Sequence, residues 1–501
     1  MFYYSKSKYV TLCGCKRRLW LEKYKPEEKE EQEENQRLIV GNEIGDMAMG
    51  LFGDYYLAET DPIDIPKMVE NTKEAIERGE GVICEAAFIY ENNYCAVDIL
   101  KVLPDKSVEI YEVKSVTKVK PYHITDTSYQ YYILSNLGFK VNSVNIVLIN
   151  KNYIRVDGDV NLNDYFIIED VTEKAIKKSE EVKANLEISD NYLANENELP
   201  DVALSSTCLE YDGCPFKDYC FRLKGIPSEG SVLDLYSNRN KWKMINDGII
   251  SFYDLNNDFK YFDKLSDIQK RQIDFYLYDR GLDINKEQIK AFLDELEFPL
   301  YFFDFETYQK ALPDVIGAKP NQQIPFQYSL HIMESDGTIT HKEYLGDGIN
   351  DPRFPLIKQM LNDLGDSGSI IAYNESFEIS RIKELAYNFK PYSSKLYKLV
   401  SRFKDLLIPF QEGYVYNRAM GGSFSIKSVL PALFPNDPRL NYHNLDDVHK
   451  GDEASQAYID LKNMDIDSRN KIRHSLLKYC ELDTYAMVVL YEKLVELTKE
   501  E

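Results

Sequence analysis

The alternation of apolar and polar positions between residues 82 and 116 predicts three consecutive antiparallel strands. Their expected bounds are 82–90, 94–102 and 108–116, and turn-forming residues separate them. In such a pattern every second side chain lies on one face of the sheet. A helical stretch around residue 130 follows, so we expect an α/β domain in this half of the chain.

A second set of elements is predicted towards the end of the chain. The apolar run at 299–303 indicates a buried strand, and helical patterns occupy 376–385 and 468–499. A chain of 501 residues ordinarily forms two or three units with separate cores. The turn-forming stretch at 226–231 is a plausible linker between them.

Acidic residues occur in three clusters on these C-terminal elements. They comprise Asp304 with Glu306, then Glu378 with Glu375 as an alternative, and finally Asp483 with the nearby Tyr479. The first pair ends the apolar strand and projects from one face of it, while the last two residues are four apart on one helix face. Carboxylates from separate elements are typical of sites for paired divalent cations, which act in phosphodiester hydrolysis.

In order and spacing, these clusters resemble the DEDD 3′–5′ exonuclease superfamily, which has an RNase H-like fold. The resemblance covers about residues 296–501 and implies four metal ligands: Asp304, Glu306, Glu378 and Asp483. It also implies that Tyr479 orients the attacking water, as in the tyrosine subtype. The chain departs from the family in the second cluster, where the usual residue is Asp.

A separate group of polar residues accompanies the three predicted strands. Asp98 lies in the second strand, and Glu112 and Lys114 lie two apart in the third. Two carboxylates can bind a divalent ion, and an ammonium group can position water or stabilise phosphate charge. Gln130 lies on the helix that follows, and Glu43 precedes the strands.

The cysteines form a further pattern. Of eight cysteines, Cys208, Cys214 and Cys220 are close in sequence, while Cys13 and Cys15 lie far upstream. Clustered thiolates hold zinc or an iron–sulfur cluster, and the paired spacing of common zinc fingers is absent. The remaining three are expected to be ordinary buried residues: Cys84, Cys95 and Cys480.

Together these features resemble RecB-like PD-(D/E)XK nucleases with an iron–sulfur cluster, including the CRISPR-associated members. The resemblance covers about residues 1–225 and implies a 4Fe–4S cluster held by Cys15, Cys208, Cys214 and Cys220. Cys13 is the alternative to Cys15, and zinc is the alternative to the cluster. The implied nuclease residues are the metal ligands Glu43, Asp98 and Glu112, the catalytic Lys114 and the helix glutamine Gln130. The last three cysteines depart from the commoner spacing.

The net charge of −23 argues against avid coating of DNA, because phosphate affinity comes mainly from Lys and Arg. Bound cations would relieve this conflict at the acidic sites. The best candidate phosphate contacts are Lys16, Arg17, Arg18, Lys118 and Lys120. The sequence shows no secretory signal region or membrane-spanning run, so a cytoplasmic protein without a membrane partner is expected.

The expected architecture is therefore α/β throughout, with a restriction-endonuclease-like domain at 1–225, a helical linker at 226–295 and an exonuclease domain at 296–501. It resembles an uncharacterised bacterial family that fuses these two nucleases. The resemblance implies a hydrolase with Mg²⁺ or Mn²⁺ at both sites that trims DNA ends, preferably single-stranded DNA, with 3′ to 5′ polarity at the C-terminal site. An RNA-processing 3′–5′ exonuclease and a decayed nucleic-acid-binding scaffold remain alternatives.

Overall fold

The computed structural model describes residues 4–31, 36–209, 213–440 and 448–499. The protein is mixed α/β, and its internal contacts divide it into two compact units. The first comprises Met1–Gly225 with Ala311–Pro320, and the second comprises Ile226–Lys310 with Asn321–Glu501. The stretch 226–295, expected as a linker, lies within the second unit.

The first unit surrounds one large sheet. Its strands are β1 (Tyr4–Ser5), β2 (Tyr56–Leu57), β3 (Val82–Tyr90), β4 (Asn93–Val102), β5 (Val108–Lys114), β6 (Val141–Ile149) and β7 (Phe166–Asp170). Its helices are α1 (Lys6–Gly14), α2 (Lys16–Tyr24), α3 (Gln36–Met49), α4 (Ile65–Arg78), α5 (Pro121–Asn136), α6 (Leu162–Tyr165), α7 (Thr172–Ser179), α8 (Val182–Ala194) and α9 (Lys217–Lys224).

The sheet of the first unit has the strand order β2-β3-β4-β5-β6-β7, and β1 pairs with β4. The predicted antiparallel meander is confirmed as β3, β4 and β5. The third strand ends at Lys114 instead of 116, and α5 begins at Pro121 after a short connection. A parallel partner, β6, then covers the other edge of β5.

Alternate residues along these strands pack into two different apolar clusters. Ile110 joins a cluster that contains Ile133 of α5, whereas its neighbour Tyr111 joins one that contains Ile44 of α3. This is the two-residue period of a strand whose faces are both covered by helices. Glu112 has the parity of Ile110, so its side chain faces α5.

The second unit also contains a central sheet. The strands of this unit are β8 (Leu282–Ile284), β9 (Leu300–Tyr308), β10 (Ile324–Met333), β11 (Ile339–Leu345), β12 (Ser369–Ala372), β13 (Phe403–Asp405) and β14 (Val415–Asn417), of which β8 and β14 form a separate two-stranded sheet. Its helices are α10 (Lys241–Asn246), α11 (Phe252–Asn257), α12 (Phe259–Phe262), α13 (Asp267–Leu277), α14 (Lys286–Leu293), α15 (Arg353–Asp363), α16 (Ser376–Asn388), α17 (Ser393–Val400), α18 (Ile408–Gln411), α19 (Ile426–Leu433), α20 (Gly451–Asp460) and α21 (Ile466–Thr498).

The five-stranded sheet of this unit has the order β11-β10-β9-β12-β13, with β9 at its centre. β9 pairs antiparallel with β10 and parallel with β12. The predicted buried strand and both predicted helices are confirmed as β9, α16 and α21. In the described ranges, every helix is too short or too polar to span a membrane.

Candidate active sites and metal centres

The strand β9 directs its acidic residues towards α21. Phe302 packs with Ala486 and Leu490 of that helix in one apolar cluster. Asp304 and Glu306 have the same parity as Phe302, so they continue this face beyond the apolar residues. The sheet therefore places the first acidic pair against the helix that carries Tyr479 and Asp483.

The carboxylates of this region share one electrostatic environment. Burial raises the pKa of Asp304 well above its usual range, and the charges of Asp483, Glu378 and Glu306 raise it further. Burial and Asp483 also raise the pKa of Glu306, while the ammonium group of Lys427 acts in the opposite direction. Each carboxylate makes ionisation of the next one harder, so a cation is needed to hold all of them charged.

Glu378 is the second-cluster residue that joins this site. Its side chain is buried, and its Oε2 has no hydrogen-bond partner within the described part of the chain. Burial raises its pKa to about 8, with a further contribution from Asp405. The alternative, Glu375, is half-buried beside Asp405 and Lys404. A buried carboxylate oxygen without a partner among other carboxylates fits a divalent cation.

Tyr479 and Cys480 complete the surroundings of the acidic cluster. Tyr479 is 4% exposed, and burial together with Asp483 and Glu306 raises the pKa of its hydroxyl. Cys480 is buried as predicted, but its Sγ lies 3.9 Å from Asp304 Oδ2. Asp304, Glu306 and Cys480 offer ligand atoms within 4.8 Å of one another, a grouping that could hold a metal ion. The sequence analysis missed this position of Cys480, although it lies directly after Tyr479.

The predicted residues of β4, β5 and α5 form a second polar cluster, in the first unit. Lys114 Nζ lies 2.6 Å from both Glu112 Oε1 and Asp126 Oδ2. Gln130 Nε2 donates to Glu112 Oε2 at 2.6 Å. The amide of the intervening residue, Val113, donates to Asp98 Oδ2 at 2.7 Å. Asp126 was not predicted, but it lies four residues before Gln130 and shares its helix face.

Lys6 is a second ammonium group in this cluster that the sequence analysis missed. Its Nζ lies 2.8 Å from Glu112 Oε1 and 3.5 Å from Asp98 Oδ1. Burial alone would raise the pKa of Glu112, but Lys114 and Lys6 outweigh it and hold that pKa well below its usual range. Burial and the Glu112 charge raise the pKa of Asp126 to about 6. The two lysines therefore stabilise mainly the central carboxylate.

Glu85 of β3 accompanies Asp98, whereas the predicted Glu43 does not. Glu85 has φ +51°, and the β3–β4 pairing skips it between Cys84↔Ile99 and Ala86↔Val97. Burial and the Asp98 charge raise its pKa to about 8. Glu43 is exposed on α3, and no ion pair or hydrogen bond among the described residues joins it to the cluster. A left-handed backbone at a residue other than glycine is uncommon and is often found at functional sites.

Four cysteines line one cavity of the first unit. They are the four predicted cluster ligands: Cys15, Cys208, Cys214 and Cys220. Burial raises the pKa of each of the last three, and Cys15 raises it further. Cys13 is exposed, with its Sγ 3.9 Å from Asn185 Nδ2, and does not line this cavity. Thiols of this number fit a zinc ion or an iron–sulfur cluster equally.

Arg17 has a different position from the surface role expected for it. It is 3% exposed, and its Nε donates to Pro200 O at 2.9 Å. Its hydrogen bond and positive charge lower the pKa of Cys220 against the effect of burial, so Arg17 favours the thiolate form of this cysteine. The other expected phosphate contacts are exposed or half-buried: Lys16, Arg18, Lys118 and Lys120.

Comparison with known proteins yields distant relatives. Residues 301–425 match the family described as a domain of unknown function, DUF2779. The chain is 26% identical over 215 residues to "Uncharacterized protein MG366" of Mycoplasma genitalium, with 40% of this chain and 32% of that protein covered. It is 27% identical over 218 residues to the MG366 homolog of Mycoplasma pneumoniae, with 40% and 33% covered.

A third relative is "Uncharacterized protein UU173" of Ureaplasma parvum, which is 31% identical over 157 residues, with 29% of this chain and 22% of that protein covered. The chain thus spans about one third or less of the length of these curated relatives. No solved structure matches the chain significantly. The family match contains Asp304, Glu306 and Glu378 but ends before Tyr479 and Asp483.

Proposed function

We propose that the protein is a metal-dependent nuclease with two active sites that hydrolyses phosphodiester bonds at DNA ends. The observation that carries the proposal is the acidic cluster of the second unit. Its carboxylates come from three separate elements and raise one another's pKa, and Glu378 Oε2 lacks a partner among the described residues. Hard divalent cations favour such oxygen-rich sites, and enzymes with paired cations cleave phosphodiesters.

The C-terminal site would act as a DEDD-type 3′–5′ exonuclease in an RNase H-like domain. Asp304, Glu306, Glu378 and Asp483 would hold Mg²⁺ or Mn²⁺, which when bound stabilises the attacking and leaving oxygens. The raised pKa of Tyr479 keeps its hydroxyl protonated, so this residue can donate a hydrogen bond that orients water but cannot act as a base. Its burial beside the carboxylates suits that positioning role.

The N-terminal site would be a RecB-like PD-(D/E)XK nuclease. Asp98 and Glu112 would hold the cation. The buried Gln130 Oε1 has no partner within the described ranges, so it could accept a further hydrogen bond at this site. Three carboxylates outweigh burial and raise the pKa of Lys114, so its ammonium group stays charged and acts electrostatically. A fixed positive charge at this position would stabilise the charge that develops on the phosphate.

The cysteine cavity would hold a 4Fe–4S cluster that links the two ends of the first unit. Cys15 comes from the start of the unit and the other three cysteines from its end. A group held by four thiolates supplies cross-linking stability of this kind. We propose a cytoplasmic location together with the function, since that compartment keeps cysteine thiols reduced and available to a metal ion or cluster. Iron and zinc analysis of anaerobically purified protein distinguishes the cluster from its zinc alternative.

Cleavage of end-labelled single-stranded DNA and RNA with Mn²⁺ tests the function. Wild type is compared with Lys114→Ala, Asp304→Asn and the double variant, and Lys140→Ala and Asp336→Asn are exposed controls. We expect each single variant to lose a different product ladder, the double variant to lose all cleavage, and both controls to cleave normally.

Three other results of this assay would lead to different conclusions. Cleavage by the double variant at the wild-type rate would refute both catalytic assignments. Metal-dependent cleavage of RNA alone would redirect the proposal to RNA processing. Binding of nucleic acid without cleavage by any variant would support the scaffold alternative.

A further inference from the structure

Two histidines and a glutamate that take no part in the acidic cluster meet between β10, β11 and α21. His331 and His341 are direct cross-strand partners, and their ring centroids are 4.6 Å apart. One ligand atom from each of them and one from Glu481 lie within 4.8 Å of one another. Zinc ligands in a tetrahedral site are roughly 3.3 Å apart, so modest side-chain rotations would close this group around an ion.

A hydrogen-bond network of two hydroxyls contacts one nitrogen of each ring and is consistent with a free lone pair on the other nitrogen. In one consistent assignment, Thr484 Oγ1 donates to the carbonyl of Glu481 and accepts from His331 Nδ1 at 2.8 Å. Ser329 Oγ then donates to Thr484 Oγ1 at 2.7 Å and accepts from His341 Nε2 at 2.9 Å. In this assignment the lone pairs that remain lie on His331 Nε2 and His341 Nδ1.

This arrangement is the one that metal-binding histidines usually have. Their non-coordinating N–H is held by a hydrogen-bond acceptor, which sets the tautomer and the ring orientation. Here one connected pair of hydroxyls, Ser329 and Thr484, holds both rings. The free His341 Nδ1 lies 3.9 Å from Glu481 Oε1. The other oxygen of this carboxylate pairs with Lys478 Nζ at 2.6 Å.

Burial and charge also favour a metal ion here. His331 is 6% exposed, and burial together with the neighbouring His341 lowers its pKa to about 4, so the ring is neutral at physiological pH. The groups that face it are His341, Glu481, Thr484 and the ring of Tyr485. Neutral imidazole is the form that coordinates metals, and the half-exposed His341 and Glu481 leave room for a water ligand.

We propose that His331, His341 and Glu481 bind a transition-metal ion of the Zn²⁺ class, with water as the fourth ligand. Two imidazoles and one carboxylate favour such an ion over Mg²⁺, which prefers oxygen ligands alone. The ion would connect the β10–β11 hairpin to α21, the helix that carries Tyr479 and Asp483. The site is separate from the proposed cation site of Asp304 and does not depend on the nuclease function.

A Co²⁺ titration of the full chain tests the site. Excess Mg²⁺ occupies the carboxylate clusters, and the visible bands of tetrahedral Co²⁺ report nitrogen and oxygen ligands. The near-ultraviolet band of cobalt thiolate marks any ion bound at the cysteines instead. We expect wild type to bind one equivalent of Co²⁺ without the thiolate band, and we expect His331→Gln and His341→Gln to lose this equivalent. Glu481→Gln should bind Co²⁺ at least roughly tenfold more weakly than wild type.

Two further variants keep the proposal open to refutation. His474→Gln changes an exposed histidine of the same helix and should bind like wild type. Thr484→Val removes only the shared hydroxyl and should weaken binding roughly 10- to 100-fold, a readout that remains if the histidine variants fail to fold. Equal binding by wild type and the ligand variants, or no thiolate-free equivalent in wild type, would overturn the proposal.

Discussion

Neutralising Glu378 should change the stability of the metal-free protein with opposite signs at low and high pH. This carboxyl has an ordinary pKa of 4.5 and a folded-state pKa of about 8, because it is buried among other carboxylates. Folding therefore takes up a proton between these two values. The free energy of unfolding falls as the pH rises from about 4.5 to about 8, and stability is complete only below that interval.

The magnitude at neutral pH follows from this interval. Each pH unit corresponds to about 1.4 kcal/mol, so the ionisable side chain of Glu378 lowers the free energy of unfolding by about 3 kcal/mol at pH 7. Glutamine removes this cost but leaves a buried amide without a partner, which costs about 1–2 kcal/mol. We therefore expect Glu378→Gln to be about 1–2 kcal/mol more stable than wild type at pH 7, and equal to it or less stable at pH 5.

Scanning calorimetry in EDTA between pH 5 and pH 8 measures this difference. One kcal/mol corresponds to roughly 2–4 °C in the melting temperature of a unit of this size. Excess Mg²⁺ should reverse the order at pH 7, since the ion stabilises wild type and the variant lacks a ligand. Glu375→Gln is a companion variant: this half-buried residue has a raised pKa of its own and also raises the pKa of Glu378, so we expect a smaller effect of the same sign.

Two results of this experiment would contradict the role assigned to Glu378. If Glu378→Gln shifted the melting temperature equally at every pH, the carboxyl would not be held protonated by its surroundings. If Mg²⁺ stabilised the variant as much as wild type, Glu378 would not be a ligand. Either result would remove the observation on which the exonuclease site is built.

Three further predictions concern the other candidate residues. Tyr479→Phe should lower the C-terminal exonuclease rate about 10²-fold without changing Mg²⁺ affinity, because the water loses its orienting group; single-turnover cleavage in a Lys114→Ala background measures this. Lys114→Ala itself should lower the rate of N-terminal cleavage about 10²-fold or more when it is measured in an Asp304→Asn background, and an unchanged rate would contradict an electrostatic role. Cys15→Ser should lose bound iron and Cys13→Ser should keep it, so equal iron contents in the two purified proteins would reject the assignment.

Local patterns predicted the elements that carry both sites. The strand at 82–90 has the predicted bounds, and the long C-terminal helix begins at Ile466, two residues before the prediction. The bounds of both elements follow from the spacing of apolar residues that are close in sequence. The same locality explains why the Glu112–Lys114 pair and the acidic pair of β9 could be recognised.

Residues brought in from elsewhere could not be recognised in this way. Lys6 is 106 positions from Glu112, and no local pattern connects the two. Glu85 is a different case, because a charged residue within an apolar strand is a local signal from which a functional position could have been predicted. Glu43 was chosen by resemblance, but its helix leaves the side chain in solvent.

The amino-acid sequence by itself determined which chemical groups are present, their order and the elements on which they lie, because helix and strand periods depend on near neighbours. Only the tertiary structure decided that Glu378 instead of Glu375 faces Asp304, that Arg17 is buried beside Cys220, and that two histidines meet Glu481. Desolvation and charge interactions depend on distances through space. Those distances exist only once segments far apart in the chain have packed together.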